Sequence, residues 1–241
     1  MEIDLENQTV AQIVGAHYRT AEVFRRYGID FCCGGQAKVA DVCRRKGIDL
    51  AQLQAELEDV LEQPLAPQED FASWSPKLLI DYIEERHHTY VRQKLPLLLQ
   101  YSKKVAKVHG HGHPEVIALA KWISALADEL EAHLEKEERE LFPYVRQLVQ
   151  AYREGQASPA VSSDHLEHPL AAMRAEHEHA GSLMQKMRQL TDGFTPPEYA
   201  CNTWRVLYQL LEEFERDLHQ HVHLENNLLF PKAASLAQAL V

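Results

Sequence analysis

The chain has 241 residues, of which 45% are hydrophobic and 25% are charged, and its formal net charge is −11. This length accommodates one large domain or a small domain joined to a medium one. The acidic balance, without a basic cluster, argues against a nucleic-acid partner. Apolar runs reach only a few residues, so neither a membrane span nor a membrane partner is expected. The four cysteines do not suit a secreted disulfide framework and the acidic N-terminus lacks a signal peptide, so a cytoplasmic location is expected.

Residues 1–63 are predicted to form a small helical domain, because their apolar residues recur at helical rather than alternating spacing. Four short helices are expected: one starts at Thr9, one covers residues 21–27, one covers residues 37–46 and one starts at Asp49. About sixty residues bury only a marginal core, so this domain is expected to lean on another structure.

An adjacent pair of cysteines, Cys32 and Cys33, is followed by two glycines. Two structural thiols in a row are unusual in a helical protein, and the glycines allow a tight turn. The helix that begins shortly afterwards is expected to lower the thiol pKa and favour the thiolate. The pair is therefore a candidate site for redox chemistry or iron transfer, and the alternative is a tight turn with incidental cysteines. Cys43 is expected in the core, and Cys201 is expected to be structural.

Residues 64–76 contain three prolines and several polar residues, a composition typical of a linker. Residues 77–241, beyond the linker, show long helical patterns without sustained β-alternation. The predicted fold is therefore all-α, a small helical N-terminal domain followed by an antiparallel four-helix bundle. The four long helices are expected over residues 77–108, 115–153, 169–190 and 198–229.

Two stretches of the predicted bundle share one pattern, acid-x3-His-x3-Glu-x4-Phe-Pro. The first copy contains His133 and Glu137, and the second contains His221 and Glu225. Four residues advance an α-helix by about 400°, so the acid, the histidine and the glutamate of each copy lie on one helix face. An imidazole and a carboxylate placed in this way can share a metal ion.

Each copy is preceded by a further histidine at a nearly equal distance, His88 45 residues before His133 and His177 44 residues before His221. This spacing indicates a duplicated helical hairpin. Imidazole and carboxylate donors together suit iron or manganese, and helix bundles place di-metal sites between facing helices. The six candidate metal ligands are His88, His133, Glu137, His177, His221 and Glu225.

Several other polar residues have a simpler interpretation. Glu129 and Asp217, the acids that open the two copies, either orient the ligand histidines or form surface salt bridges. His109, His111 and His113 are expected in a flexible, solvated loop with only adventitious metal affinity. Histidines off the ligand register are expected at the surface; they are His165, His168, His179, His219 and His223.

The Cys-Cys-Gly-Gly sequence at residues 32–35, followed by His133-x3-Glu-x4-Phe-Pro and His221-x3-Glu-Asn-Asn-x2-Phe-Pro, resembles the iron–sulfur cluster repair di-iron proteins. This is the RIC family of the YtfE, ScdA and DnrN type, and the resemblance covers essentially the whole chain. It implies a hemerythrin-like bundle that holds two non-haem iron ions per chain, with an oxo or hydroxo bridge. Carried over position by position, the same six residues are the iron ligands. Glu176 resembles a family residue on a path to the metals.

The resemblance also implies a stress-response role, the restoration of iron–sulfur clusters damaged by nitric oxide or peroxide. Expected partners are damaged iron–sulfur proteins or apo cluster scaffolds, with nitric oxide or dioxygen as a small ligand, and the protein is expected to be a monomer or a homodimer. If both glutamates bridge the ions and each ion has two histidines, the oxo or hydroxo bridge is about the fifth donor, which leaves about one open position per iron. We expect the cysteine pair to dock over this open side.

Three functions remain open on the sequence alone. The favoured one is a repair protein that donates iron or removes nitric oxide, rather than a turnover enzyme. The second is a di-iron nitric oxide or peroxide reductase in which Cys32 and Cys33 relay electrons. The third is a hemerythrin-like oxygen sensor, which would have no need of the thiols.

Overall fold

A computed structural model of the protein describes residues 3–62, 70–155 and 163–240, without the side chains of residues 163–165. This described part is helical apart from turns and one isolated β-bridge, between Thr9 and Lys38, which confirms the all-α prediction. None of its helices is both long enough and apolar enough to cross a bilayer. The chain divides into two compact units. The first contains residues 1–80, 148–167 and 220–241, and the second contains residues 81–147 and 168–219.

The first unit begins with four short helices near the predicted positions. Thr9 caps the first of them through a capping box with Gln12, and the Asp49 carboxylate accepts the backbone N–H groups of Ala51 and Gln52 at the start of the fourth. Gly47 ends the third with a left-handed φ of 67°. The helices are α1 (Val10–Ala16), α2 (Thr20–Arg26), α3 (Val39–Lys46) and α4 (Leu50–Glu62).

The same unit contains the C-terminal end of the chain, which comprises a π-helical segment, π3 (Leu224–Leu229), and helix α11 (Phe230–Ala239). Helix α1 and the 3₁₀ turn at Phe71–Ser73 both pack against π3. The Lys232 ammonium donates a hydrogen bond to the Ala72 carbonyl over 2.9 Å. The small N-terminal helices therefore do lean on another structure, which is the C-terminal end of the chain. Residues 64–69 of the predicted linker lie outside the described residues.

The second unit contains a four-helix bundle. Helices α6 and α7 are joined by the short turn at residues 110–113 and pack along their length, so they are antiparallel neighbours. Arg188 and Glu215 form an ion pair between the other two helices. The helices that contribute to this bundle are α6 (Thr89–His109), α7 (Pro114–Lys136), α9 (Ser163–Leu190) and α10 (Asn202–His223).

Shorter segments precede and extend these bundle helices. Helix α5 (Pro76–Tyr82) leads into π1 (Ile83–His88), and π2 (Glu137–Leu141) leads into α8 (Phe142–Glu154). The predicted start of the third long helix at Pro169 was wrong, because α9 already begins at Ser163 and includes this proline. Pro169 is the seventh residue of α9, so it lies inside the helix, where its missing N–H removes one intrahelical hydrogen bond.

Candidate metal centre

Each of the six predicted ligands belongs to one of the two compact units. His88, His133, Glu137 and His177 belong to the second unit, and His221 and Glu225 belong to the first. All six side chains are buried, with at most 3% of any residue exposed. Buried histidines and carboxylates are uncommon unless they are paired or bind a metal.

In the second unit, the ring nitrogens of three histidines converge on one carboxylate and on one another. The Nε2 atoms of His88 and His133 each lie 3.4 Å from Oε2 of Glu137. The Nε2 atoms of His133 and His177 are 3.0 Å apart. Potential ligand atoms of His133, Glu137 and His177 all lie within 4.8 Å of one another. This is a donor set of nitrogen and oxygen atoms that could hold a metal ion.

In the first unit, His221 and Glu225 form the second imidazole–carboxylate pair. Nε2 of His221 lies 3.0 Å from Oε1 of Glu225, and the two residues are one helical turn apart. The pair repeats the arrangement of His133 and Glu137, as the matched spacing predicts. Each unit therefore presents a buried histidine and glutamate from the same motif.

The His88 ring contacts a second carboxylate, that of Glu138, through the ring nitrogen that does not face Glu137. Nδ1 of His88 lies 2.7 Å from Oε1 of Glu138, and the Arg92 guanidinium donates two hydrogen bonds to the same carboxylate. The Arg92 hydrogen bonds lower the pKa of Glu138, and its contact with His88 lowers it further. An ionised carboxylate at Nδ1 selects the tautomer that leaves Nε2 as the donor toward a metal.

The His133 ring is held in the same way by Glu176. Nδ1 of His133 lies 2.7 Å from Oε2 of Glu176, and Lys136 forms an ion pair with the other carboxylate oxygen. Burial alone would raise the pKa of Glu176, but Lys136 and His133 outweigh it and the pKa is lowered. Sequence reasoning singled out Glu176 through the family resemblance alone and did not identify Glu138, because the partner of each lies on a different helix.

The three π-helical segments coincide with predicted ligands, a feature that the sequence analysis missed. His88 ends π1, Glu137 begins π2 and Glu225 lies in π3. The N–H groups of Phe142 and Phe230 donate to the carbonyls of Glu137 and Glu225, five residues earlier. Such π turns are frequent at functional sites.

The repeated Phe-Pro was the available signal for these wide turns. Pro143 and Pro231 lack an N–H group, and a proline ring clashes with the carbonyl four residues earlier in a regular α-helix. A wider turn before the proline relieves this crowding. The Glu-x4-Phe-Pro spacing therefore predicts a π turn at each glutamate.

The acids that open the two motif copies have different surroundings. Asp217 is buried, and its carboxylate lies 3.1 Å from Nδ1 of His87 and 3.5 Å from the Arg86 guanidinium. Glu129 is exposed and lies 3.3 Å from Nε2 of His179. Asp217 is thus a buried partner of the histidine beside a predicted ligand, whereas Glu129 forms the surface contact of the simpler interpretation.

Cys32 and Cys33 lie in a loop that is folded around the Asp30 carboxylate. Oδ1 of Asp30 accepts the N–H groups of Cys32 and Cys33 over 2.9 and 3.0 Å, and Oδ2 accepts that of Gly34 over 2.9 Å. The expected low thiol pKa was wrong for Cys32. Its hydrogen bond with the Cys33 thiol, its burial and the nearby charge of Asp30 raise the pKa of Cys32 well above its ordinary value.

The cysteine loop is anchored to π3 in the same compact unit. The Asn226 side chain donates to the Cys32 carbonyl over 3.3 Å, and the Asn227 side chain donates to the Phe31 carbonyl over 3.0 Å. Asn226 is the residue after the predicted ligand Glu225. The loop that carries the cysteines is thereby fixed to the helical segment that carries one predicted ligand.

His223 lies next to this contact, which we call the anchor and which consists of Asn226 and Asn227 with the carbonyls of Cys32 and Phe31. His223 is fully buried, so its expected surface position was wrong. Its ring packs against Tyr18 and Phe31, with ring centroids 5.3 and 6.0 Å apart. Burial lowers the pKa of His223 to about 3. Because the Nδ2 group of Asn227 can only donate, Nδ1 of His223 accepts its hydrogen bond over 2.9 Å, and this nitrogen carries no proton.

The exposure of the remaining off-register histidines and of the other two cysteines can be compared with the expected exposure. His168 and His179 are exposed as expected, His219 is half-buried, and the His165 side chain lies outside the described part. Cys43 is in the core as expected. Cys201 is exposed, and its Sγ atom lies 3.2 Å from Nε2 of His109.

The loop histidines pack against aromatic side chains instead of pointing freely into solvent. His109 and His113 both contact the buried Trp204 ring, with centroids 4.9 and 5.0 Å away. Nδ1 of His113 lies 2.6 Å from the Glu115 carboxylate, and Tyr199 contacts its Nε2 over 3.0 Å. Only His111 is exposed as expected. The prediction of a flexible loop was therefore wrong for two of the three histidines.

Comparison with known proteins assigns both parts of the chain. Residues 6–61 match ScdA_N, a domain of unknown function, and residues 79–233 match the hemerythrin HHE cation binding domain. The iron-sulfur cluster repair proteins YtfE of Yersinia pestis (strain Pestoides F) and of Yersinia pseudotuberculosis serotype O:1b (strain IP 31758) are each 37% identical over 231 residues. These alignments cover 96% of this chain and 98% of each relative. With an ScdA_N domain followed by a hemerythrin domain, the chain belongs to the YtfE family.

Proposed function

We propose that the protein repairs damaged iron–sulfur clusters, using a di-iron centre held by both halves of the internal repeat. The ligands are His88, His133, Glu137, His177, His221 and Glu225. The relatives that carry both domains are named iron-sulfur cluster repair proteins. The observation that carries the proposal is the convergence of buried imidazole Nε2 atoms on the buried carboxylate of Glu137.

The residues present fit iron by the chemistry of their donors. Imidazole nitrogens and carboxylate oxygens suit iron, and a fully buried carboxylate such as Glu137 is stabilised by a bound cation. Glu138 and Glu176 hold the Nδ1 protons of His88 and His133, so that both Nε2 atoms are free of the proton. Two glutamates and four histidines give two ions comparable surroundings. When bound, iron would supply a redox-active cation that takes small ligands such as nitric oxide or dioxygen.

The cysteines are proposed to act together with these donors. Asn226 ties the Cys32 carbonyl to the residue next to Glu225, which supports the proposal that the pair serves the metal ligands rather than a separate function. The protein would supply iron to a damaged cluster or remove nitric oxide from it. The cytoplasm is the proposed location because its reducing conditions maintain free thiols such as the four cysteines of this chain.

Two glutamate replacements test the proposal. Glu137→Leu combined with Glu225→Leu should abolish the Mössbauer signal of two coupled irons and leave the helical circular dichroism largely intact. Glu140→Leu, at an exposed position in π2, is the matched control and should retain both irons. A double variant that still holds two coupled irons would rule out this ligand set.

A second experiment separates iron donation from enzymatic reduction of nitric oxide. Protein loaded with labelled iron is mixed with a cluster enzyme damaged by nitric oxide, and the label in the repaired enzyme is counted. Transfer of the label supports donation. Repair without transfer, accompanied by steady consumption of nitric oxide with a thiol reductant, would support the reductase instead.

A further inference from the structure

The two thiols of the cysteine loop are arranged as a pair of metal ligands. The Sγ atoms of Cys32 and Cys33 are 3.7 Å apart. Two sulfur atoms bound to one tetrahedral ion at about 2.3 Å each would be about 3.8 Å apart, so the pair can bind such an ion with little rearrangement. This distance is far from the roughly 2.05 Å of a disulfide.

Asp30 brings an oxygen donor to the same place. Its Oδ1 atom lies 3.2 Å from the Sγ of Cys32, and ligand atoms of Asp30, Cys32 and Cys33 all lie within 4.8 Å of one another. Oδ2 accepts one N–H group, that of Gly34, and a carboxylate oxygen has room for a further partner. Asp30 is exposed and Cys33 half-buried, so a cation can enter from their side.

The loop is held in this shape before any cation binds. The Asp30 carboxylate accepts three backbone N–H groups from within the loop, and Asn226 and Asn227 hold two of its carbonyls. Fixing the donors in advance lowers the entropy lost on binding. Such a rigid framework is more than a tight turn requires.

We propose that Asp30, Cys32 and Cys33 form a second metal site, which binds one thiophilic divalent cation such as Zn²⁺ or Fe²⁺. The donor set of two sulfurs and one oxygen favours these ions over Mg²⁺ or Ca²⁺. Binding forms two metal–sulfur bonds and breaks two S–H bonds, and the two protons pass to the solvent. No electron is transferred. The site shares no residue with the histidine and glutamate donors, so the inference does not require the proposed repair function.

The exchange of protons for a cation makes binding depend on pH. Each thiol must lose its proton to bind the cation, so cation binding competes with protons and strengthens as pH rises. Where the proposed function also holds, this site is placed to receive an iron ion as cargo.

Cobalt binding to the full-length protein tests the site, because Co²⁺ substitutes for Zn²⁺ and Fe²⁺ and reports its ligands by colour. Reduced protein that carries two irons per chain and has been freed of further metal is titrated with Co²⁺ without oxygen. We expect one equivalent to bind with a sulfur-to-cobalt charge-transfer band in the near ultraviolet and the release of two protons. Histidine and glutamate donors cannot produce this band.

Single variants assign the band to the loop. Cys33→Ser should abolish it, and Asp30→Asn should weaken cobalt binding about tenfold or more. Cys43→Ser and Cys201→Ser are matched controls that should leave the band unchanged. If reduced wild-type protein gives no band, or if Cys33→Ser retains it, the site is refuted. Repair activity without the band would refute this site alone, whereas the band without repair activity would refute the proposed function alone.

Discussion

The Nδ1 atom of His133 and the Oε2 atom of Glu176 lie 2.7 Å apart on neighbouring helices of the bundle. Glu176 directly precedes the predicted ligand His177, so one short stretch of α9 contains both a predicted ligand and the carboxylate that holds the ring of another predicted ligand, His133. Lys136 holds the other oxygen of the same carboxylate. The rotation of the His133 ring is thereby set by α9 rather than by its own helix.

Glu176→Gln should lower the iron affinity of the protein about tenfold to a hundredfold, the usual cost of losing a carboxylate behind a ligand histidine. The amide can still accept a hydrogen bond but no longer carries the charge that makes the ring a stronger donor. Competition with an iron chelator measures the affinity. Glu178→Gln, two residues further along the same helix and exposed, should have no effect. Equal losses in the two variants would show that Glu176 has no specific role.

Cys32 should react slowly with iodoacetamide at neutral pH, and much more slowly than the exposed Cys201. The Cys33 thiol, burial and Asp30 raise the pKa of Cys32 above its ordinary value of 9.0, so little thiolate is present. Because the pKa of Cys32 is higher in the folded protein than in the unfolded chain, this thiol adds to the free energy of unfolding below its unfolded-state pKa. That contribution is lost as pH rises through the folded-state pKa. Mass spectrometry of the alkylated peptides measures both rates. In denaturant the difference should vanish, and equal rates in the folded protein at pH 7 would contradict the raised pKa.

Replacing both asparagines of the anchor should release the cysteine loop. Each hydrogen bond contributes about 1 kcal/mol, so Asn226→Ala with Asn227→Ala should raise the alkylation rate of Cys32 about tenfold or more. Asn202→Ala, at an exposed position outside the anchor, serves as the control. An unchanged Cys32 rate in the double variant would mean that packing alone holds the loop.

Gly35→Ala should destabilise the protein by about 1–3 kcal/mol, the usual effect of forcing an extra group into a packed site. A Cβ atom at Gly35 would lie 2.4 Å from the Phe31 carbonyl oxygen and 3.0 Å from the Ala11 side chain. Gly112→Ala is the matched control, because a Cβ atom there meets nothing within 4 Å. Chemical denaturation monitored by circular dichroism gives both values, and a Gly35→Ala protein as stable as the control would contradict the close packing of the loop.

The sequence was sufficient to predict the all-α class and the motif pairs, because helical spacing places His133 above Glu137 and His221 above Glu225 without any knowledge of the rest of the chain. It could not identify Glu138 as the partner of His88, since that contact depends on which helices are neighbours. His223 shows the same limit. Two residues after His221 it faces almost the opposite side of the helix, where periodicity alone indicates solvent, and only the packing of Tyr18 and Phe31 buries it.

The anchor also has a thermodynamic consequence. Glu225 and Asn226 are consecutive, and Asn226 holds the Cys32 carbonyl, so an ion that orders the backbone at Glu225 also restricts the loop. By thermodynamic linkage the effect is mutual. If a cation at Glu225 changes the cation affinity of the cysteine loop by some factor, a cation in the loop changes the affinity at Glu225 by the same factor. Loss of a cation at Glu225 would therefore loosen the thiols, and the exposure of Cys32 would report metal occupancy without any large movement of the chain.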